Sequence, residues 1–298
     1  MFKIEDFPKN GFVQLGSILD KGKCQNLLDQ IHSTRSFDSD LFLSESEFKS
    51  NPVMRGTNPQ KGGYNLAEKL DLSFIENNPK FKESMEAILG SNYTILLKKF
   101  VMGTPESIMP DWLLAYTKGH KVANLGPYIK PEYRDITYFH GIDWHQDIID
   151  YPNFVSDFIT VYVYLADTTE DTSPLYAVPK SHQLGATTFP HKIDIKSKNK
   201  LIYTNDLGKS EEFDYMMLLG SAGSVNFWHS STLHGTQPHI NSKPRISVRY
   251  LIQKQTTLID LANRNSIGYH SLENTRIDLD LKGNNKLKGN SINTIKKI

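Results

Sequence analysis

His145 and Asp147 stand two apart in the run Trp144-His145-Gln146-Asp147, and on an extended chain side chains at that spacing project to one face. An imidazole and a carboxylate so placed can grip one divalent ion. Alone, a His-x-Asp pair carries little, because such pairs arise by chance in exposed segments. His234 offers a third ligand, within Gly223-Ser-Val-Asn-Phe-Trp-His-Ser-Ser-Thr-Leu-His-Gly-Thr-Gln, after a strand that a glycine turn introduces. Two imidazoles and one carboxylate make the facial triad suited to non-haem Fe(II), which leaves positions on the metal open.

Arg245, placed 11 residues after His234 on the next β-rich run, sharpens this reading. An open iron site that activates O2 needs electrons, and 2-oxoglutarate supplies them by chelating the metal through its 2-oxo acid end. Its distal carboxylate then needs a buried cation with a planar donor fork, which arginine provides better than lysine. In Arg245-Ile246-Ser247-Val248-Arg249 the alternate residues Arg245, Ser247 and Arg249 share a face, making Ser247 a candidate for the same pocket. Arg249 would lack an anion if Arg245 already holds the co-substrate. A carboxylate, phosphate or sulfate on the substrate would answer it; so would an internal acid such as Asp143 or Asp157, or a twist of the strand end into solvent. Trp144, beside the metal pair, is a further candidate to touch substrate.

The elements that must position these groups can be read from periodicity. A short strand spans Gly11 to Ser17, and a helix starts near Asp20, with Cys24, Leu27, Leu28 and Ile31 on one face. A second helix has Asn78 as N-cap, Pro79 at its first position, Phe81, Met85, Ile88 and Leu89 inward, and Gly90 as stop. Strand signals follow at Tyr93 to Met102, Trp112 to Thr117, Asp157 to Leu165, Ser224 to Trp228 and Arg245 to Ile252. Helices first and many strands afterwards imply an α+β, mainly β, fold with N-terminal helices on one side of a sandwich or jelly roll. The segment from Gly103 to Gly141 reads as a variable insert with a loop over one mouth. We expect one domain over residues 1–280, its metal-site core at about 141–252, and a loosely ordered basic tail at 281–298.

Composition sets outer bounds. Hydrophobic residues make up 38% of 298, enough for a sizeable core. Lysine and arginine total 34 against 33 acidic residues, so no net field holds the chain on nucleic acid or an anionic membrane. The start, MFKIEDFPKNGF, lacks an apolar signal region, and no apolar run approaches 20 residues, which points to the cytoplasm. A single cysteine excludes internal disulfides and cysteine-rich metal sites.

Four ordered blocks resemble the phytanoyl-CoA dioxygenase family of Fe(II)/2-oxoglutarate oxygenases. They are Asn10-Gly-Phe-Val-Gln-Leu-Gly-Ser-Ile-Leu with the helix after it, Trp144-His-Gln-Asp, Ser173-Pro-Leu-Tyr-Ala-Val-Pro-Lys-Ser-His182, and Gly223 to Tyr250. The resemblance implies a double-stranded β-helix of the jelly-roll, cupin-like kind, with iron at His145, Asp147 and His234 and the 2-oxoglutarate carboxylate at Arg245. It also implies that Thr236 and Tyr162 line the co-substrate pocket. Thr160, which alternates with Tyr162 and Tyr164, joins that list, although all three also read as core residues with satisfied hydroxyls. The Gly103 to Gly141 segment matches no block, so the resemblance carries no substrate with it.

These readings converge on a dioxygenase that takes up O2, decarboxylates 2-oxoglutarate to succinate and CO2, and oxidises a small molecule, with hydroxylation the expected outcome. Desaturation, cyclisation and epimerisation are the enzymatic alternatives, and a non-catalytic β-barrel binding protein is the alternative outside enzymes. Halogenases of related build place glycine or alanine where this chain keeps Asp147, which argues against halogenation. Of the other histidines, His182 reads as structural, His229 and His239 as flanking residues, and His120, His140 and His191 as loop residues.

Overall fold

The N-terminal helices form where side chains can cap them. Asp20 accepts a hydrogen bond from the Lys23 amide at 2.8 Å and opens the helix Lys21–Ser33, which buries Cys24, Leu27, Leu28 and Ile31. Asn78 likewise accepts from the Phe81 amide at 3.1 Å, Pro79 takes the first position of Pro79–Leu89, and Gly90 ends it at φ 85°. The computed structural model describes residues 3–50, 65–118, 122–150, 158–187, 191–236 and 243–254. The basic tail, His120, His239 and Asp157 lie outside them.

Among the described residues there are thirteen strands: β1 (Phe12–Ser17), β2 (Tyr93–Gly103), β3 (Val122–Asn124), β4 (Thr137–His145), β5 (Phe158–Tyr164), β6 (Leu175–Ala177), β7 (Lys192–Ser197), β8 (Lys200–Thr204), β9 (Ser210–Asp214), β10 (Met216–Leu218), β11 (Ser224–His229), β12 (His234–Thr236) and β13 (Arg245–Lys254). The main sheet runs β1-β11-β5-β13-β2-β4-β12-β6-β10, with β3 beside β4, while β7, β8 and β9 form a separate sheet. The β2–β4 pair is parallel and its neighbours along the path are antiparallel. The path nearly closes on itself, for Gln14 on β1 donates its amide to the Leu219 carbonyl just after β10 at 2.7 Å. This is a double-stranded β-helix, the jelly roll.

Alternation sorts the strand residues. Ile246, Val248 and Tyr250 of β13, Ile159, Val161 and Val163 of β5, and Val225 and Phe227 of β11 join one cluster with the helical Leu27, Phe81 and Met85. Tyr162, Tyr164 and Trp228 turn the other way, into a second cluster with Phe12, Val101 and Leu218. Arg245, Ser247 and Arg249 therefore share the interior of the barrel with those aromatics.

Two expectations fail. Trp112 to Thr117 is not a strand but part of the helix Asp111–Thr117, where Pro110 precedes the first turn and Thr117 Oγ1 donates to the Leu113 carbonyl at 2.8 Å. His140, expected in a loop, lies instead on β4, and Gly103 to Gly141 also holds that helix and β3. Its polar residues hid the strand; His140 is buried on β4, with Nδ1 3.0 Å from the Thr104 carbonyl. Among the described residues no helix is long and apolar enough to cross a membrane.

Candidate metal centre

β4 ends on His145, and β12 begins on His234 directly opposite it in the antiparallel register. Their rings lie 4.1 Å apart between centroids. His145 Nδ1 is 3.0 Å from the Asp143 carbonyl and His234 Nδ1 is 2.9 Å from the Thr232 carbonyl. A carbonyl only accepts, so each Nδ1 is the protonated nitrogen and each Nε2 keeps a lone pair for a metal.

Asp147 reaches the pair differently from the extended geometry expected of it. It lies beyond the end of β4, at the start of a 3-10 turn over Asp147–Asp150. Gln146 fixes that turn from inside the protein, donating to the Gly185 and Ser231 carbonyls at 2.9 and 2.7 Å and accepting from the Thr187 amide at 2.9 Å. Asp147 Oδ2 then stands 3.5 Å from His234 Nε2. One ligand atom from each of His145, Asp147 and His234 falls within 4.8 Å of the others, and this is the one such cluster among the described residues. Burial pushes the Asp147 carboxyl up, but the Arg249 guanidinium, with His234 and His145 alongside, outweighs it and holds the group well below the usual carboxylate range. The donor set thus comprises two imidazole nitrogens and an ionised carboxylate, which fits Fe(II).

Arg245 is buried in the barrel. Its Nε donates to the Thr172 carbonyl at 3.2 Å, its Nη1 donates to Ser247 Oγ at 3.0 Å, and its guanidinium carbon lies 5.9 Å from the centre of the Tyr164 ring. Among the described residues no carboxylate pairs with it. A buried guanidinium with neutral partners is costly unless an anion joins it, so the site suits a carboxylate.

The remaining candidates separate into groups. Thr160 does not face the Arg245 pocket; its hydroxyl donates to Asp147 Oδ2 at 2.5 Å. Thr236 bonds Ser173, Oγ1 to Oγ at 2.7 Å, which ties β12 to the turn before β6. Tyr162 stacks on Trp228, 5.3 Å between centroids at 18°. Burial raises its phenol while the charges of Arg249 and Arg245 pull the other way. Trp144 points away from the triad, because alternation sends it to the face opposite His145, where it meets Tyr176 and Tyr215 edge-on at 6.1 and 5.2 Å.

Arg249 pairs with an internal acid, one of the expected alternatives, though that acid is Asp147: its Nη2 donates to Asp147 Oδ1, with side-chain exposures of 11% and 4%. The argument for an anionic substrate from an unpaired Arg249 thereby loses its premise. Trp228, read from the sequence only as the end of a strand, donates Nε1 to Asp147 Oδ2 at 3.0 Å and lies 4.7 Å from the His234 ring. Its place in an apolar strand gave no signal beyond core. His182 is structural as expected, with Nε2 on the Pro8 carbonyl at 3.0 Å, and His229 accepts from the Ser231 amide at 3.0 Å, so neither joins the triad.

The family described as phytanoyl-CoA dioxygenase matches residues 7–247. A curated relative, the probable alpha-ketoglutarate-dependent hypophosphite dioxygenase of Stutzerimonas stutzeri, is 28% identical over 106 residues, covering 33% of this chain and 34% of that protein. The match therefore spans about a third of that relative's length. Among solved structures, the non-heme alpha-ketoglutarate-dependent epimerase SnoN from nogalamycin biosynthesis superposes with a TM-score of 0.50 at 14% identity, over 85% of this chain and 81% of that one. Its complex with Fe3+, alpha-ketoglutarate and nogalamycin RO gives 0.52 at 15% identity, over 85% and 82%. At these identities the superpositions speak for a common fold.

Proposed function

The chain belongs to the phytanoyl-CoA dioxygenase family, and from that premise we propose that it is an Fe(II)- and 2-oxoglutarate-dependent dioxygenase that hydroxylates a small molecule, with His145, Asp147 and His234 as metal ligands and Arg245 as the co-substrate anchor. The observation that carries the site assignment is the pairing of two features in one barrel interior. One is a two-histidine, one-carboxylate cluster in which each imidazole turns its Nδ1 to a carbonyl. The other is a buried arginine with neutral partners.

Iron, when bound with 2-oxoglutarate and O2, supplies the oxidising chemistry, and the co-substrate leaves as succinate and CO2. The chain's own part is positional. Arg245 and Ser247 would take the distal carboxylate, with Arg245 donating through its planar fork. Tyr162 and Trp228 would wall the site with packed rings and keep water from the reacting centre. His145 and His234 keep their protons on Nδ1, directed at carbonyls, and so neither is set up to donate a proton towards the metal.

Anaerobic protein mixed with Fe(II) and 2-oxoglutarate should develop a weak visible charge-transfer band. On exposure to air it should then release succinate, which serves as the readout of a screen across amino acids, acyl thioesters, sugars, phosphonates and polyketide-like compounds. Analysis of the product tells hydroxylation from desaturation, cyclisation or epimerisation. Absence of both band and succinate would count against the assignment.

A further inference from the structure

Asp147 is gripped by three side chains from three adjacent strands. Thr160 of β5 and Trp228 of β11 face each other in register, and both donate to Oδ2, at 2.5 and 3.0 Å. Arg249 of β13, one strand further along and paired with Tyr162 of β5, donates to Oδ1. Thr160 and Trp228 are fully buried, so water does not compete for these bonds. Hydrogen bonds to an ionised acceptor are also stronger than neutral ones.

An ionised carboxylate offers about four lone-pair sites. Oδ2 spends two on Thr160 and Trp228, Oδ1 spends one on Arg249, and about one site is left. We propose that Arg249, Thr160 and Trp228 are positioning residues that restrict Asp147 to a single bond to the metal, preventing the carboxylate from chelating through both oxygens. Chelation would close a coordination position that the 2-oxo acid or O2 needs. The inference rests on the metal site proposed above and adds what shapes it. It also gives Arg249 a role at the metal rather than at the substrate.

Co(II) is a suitable probe, because its visible band reports the number and arrangement of its ligands. Purified wild type, Thr160→Val, Trp228→Phe and Thr160→Ser are titrated with Co(II) and their saturated spectra compared. Thr160→Val and Trp228→Phe each remove one donor from Oδ2. Each should weaken Co(II) binding by about 10-fold to 100-fold, the usual scale for disturbing a ligand's supporting bonds, and change the shape of the saturated band. Thr160→Ser keeps the hydroxyl and should restore both the band and the affinity. Wild-type bands and affinities in the Val and Phe variants would overturn the clamp, as would a Ser variant as defective as Val, since that assigns Thr160 to packing. Failure of the underlying site looks different: wild type would take up no Co(II), or His145→Ala would bind it as tightly as wild type.

Discussion

His234 sits directly across from His145 in the β4–β12 pair, and the residue after it, Gly235, is pressed against the β4 backbone. A Cβ on Gly235 would lie 2.9 Å from the Ile142 carbonyl oxygen and 3.2 Å from the Asp143 carbonyl carbon. The neighbour is backbone and cannot swing aside as a side chain would. Gly235→Ala should force β12 away from β4 and separate the two imidazoles. Overpacking of this kind costs about 1–3 kcal/mol, and metal affinity should fall by at least about tenfold. A calorimetric Mn(II) titration indistinguishable from wild type would show that the register tolerates the methyl group.

The three ligand deletions should differ in stability though all lose the metal. His145→Ala and His234→Ala remove rings whose Nδ1 atoms face backbone carbonyls. Asp147→Ala instead leaves Arg249 inside the barrel without its carboxylate, and breaking a buried pair from one side costs roughly 3–5 kcal/mol. Denaturant midpoints should therefore drop furthest for Asp147→Ala and recover in the double variant Asp147→Ala, Arg249→Met. Equal midpoints for all three single variants would mean that the pair contributes nothing to the fold.

Much of this site was legible from the chain alone because its chemistry is local. His145 and His234 announce themselves by type, and Asp147 by spacing, although Gln146 and a 3-10 turn deliver it where an extended strand was expected. Arg249 could not be paired from sequence, since its acid lies 102 residues away on a turn whose position only the folded barrel sets. Trp228 was invisible for another reason: an indole in an apolar strand looks like core, and it is core, with one N–H aimed at a carboxylate. The Asp111–Thr117 helix was misread because a short apolar run fits either period, and Pro110 was the cue that decided it.

Arg245 should govern co-substrate affinity. Removing one partner of a buried charged pair costs roughly 3–5 kcal/mol, on the order of a hundredfold to a few thousandfold in binding. Arg245→Ala should raise the apparent 2-oxoglutarate constant by about that factor. Ser247→Ala removes only a neutral acceptor from Arg245 Nη1 and should cost far less, about 0.5–1.5 kcal/mol. Titration of the Fe(II) charge-transfer band with 2-oxoglutarate measures both, and an Arg245→Ala curve matching wild type would place the anchor elsewhere.

Stability below neutral pH should depend on His182. Burial pushes its imidazole pKa below the ordinary value, opposed in part by the hydrogen bond from Nε2 to the Pro8 carbonyl. Among the described residues Nδ1 has no hydrogen-bond partner, and it lies so close to Gly11 that a Cβ there would come within 2.3 Å of it. The unfolded chain, with an imidazole pKa of about 6.5, therefore binds a proton before the folded one does. Stability from this residue is complete above that pH and declines as pH falls towards the lower folded pKa, with a limiting slope of about 1.4 kcal/mol per pH unit. Urea midpoints measured from pH 7.5 to 5.5 should fall more steeply in wild type than in His182→Gln, which carries every other titrating group unchanged. Parallel lines for the two proteins would mean that His182 takes up its proton in the folded state as readily as in the unfolded one.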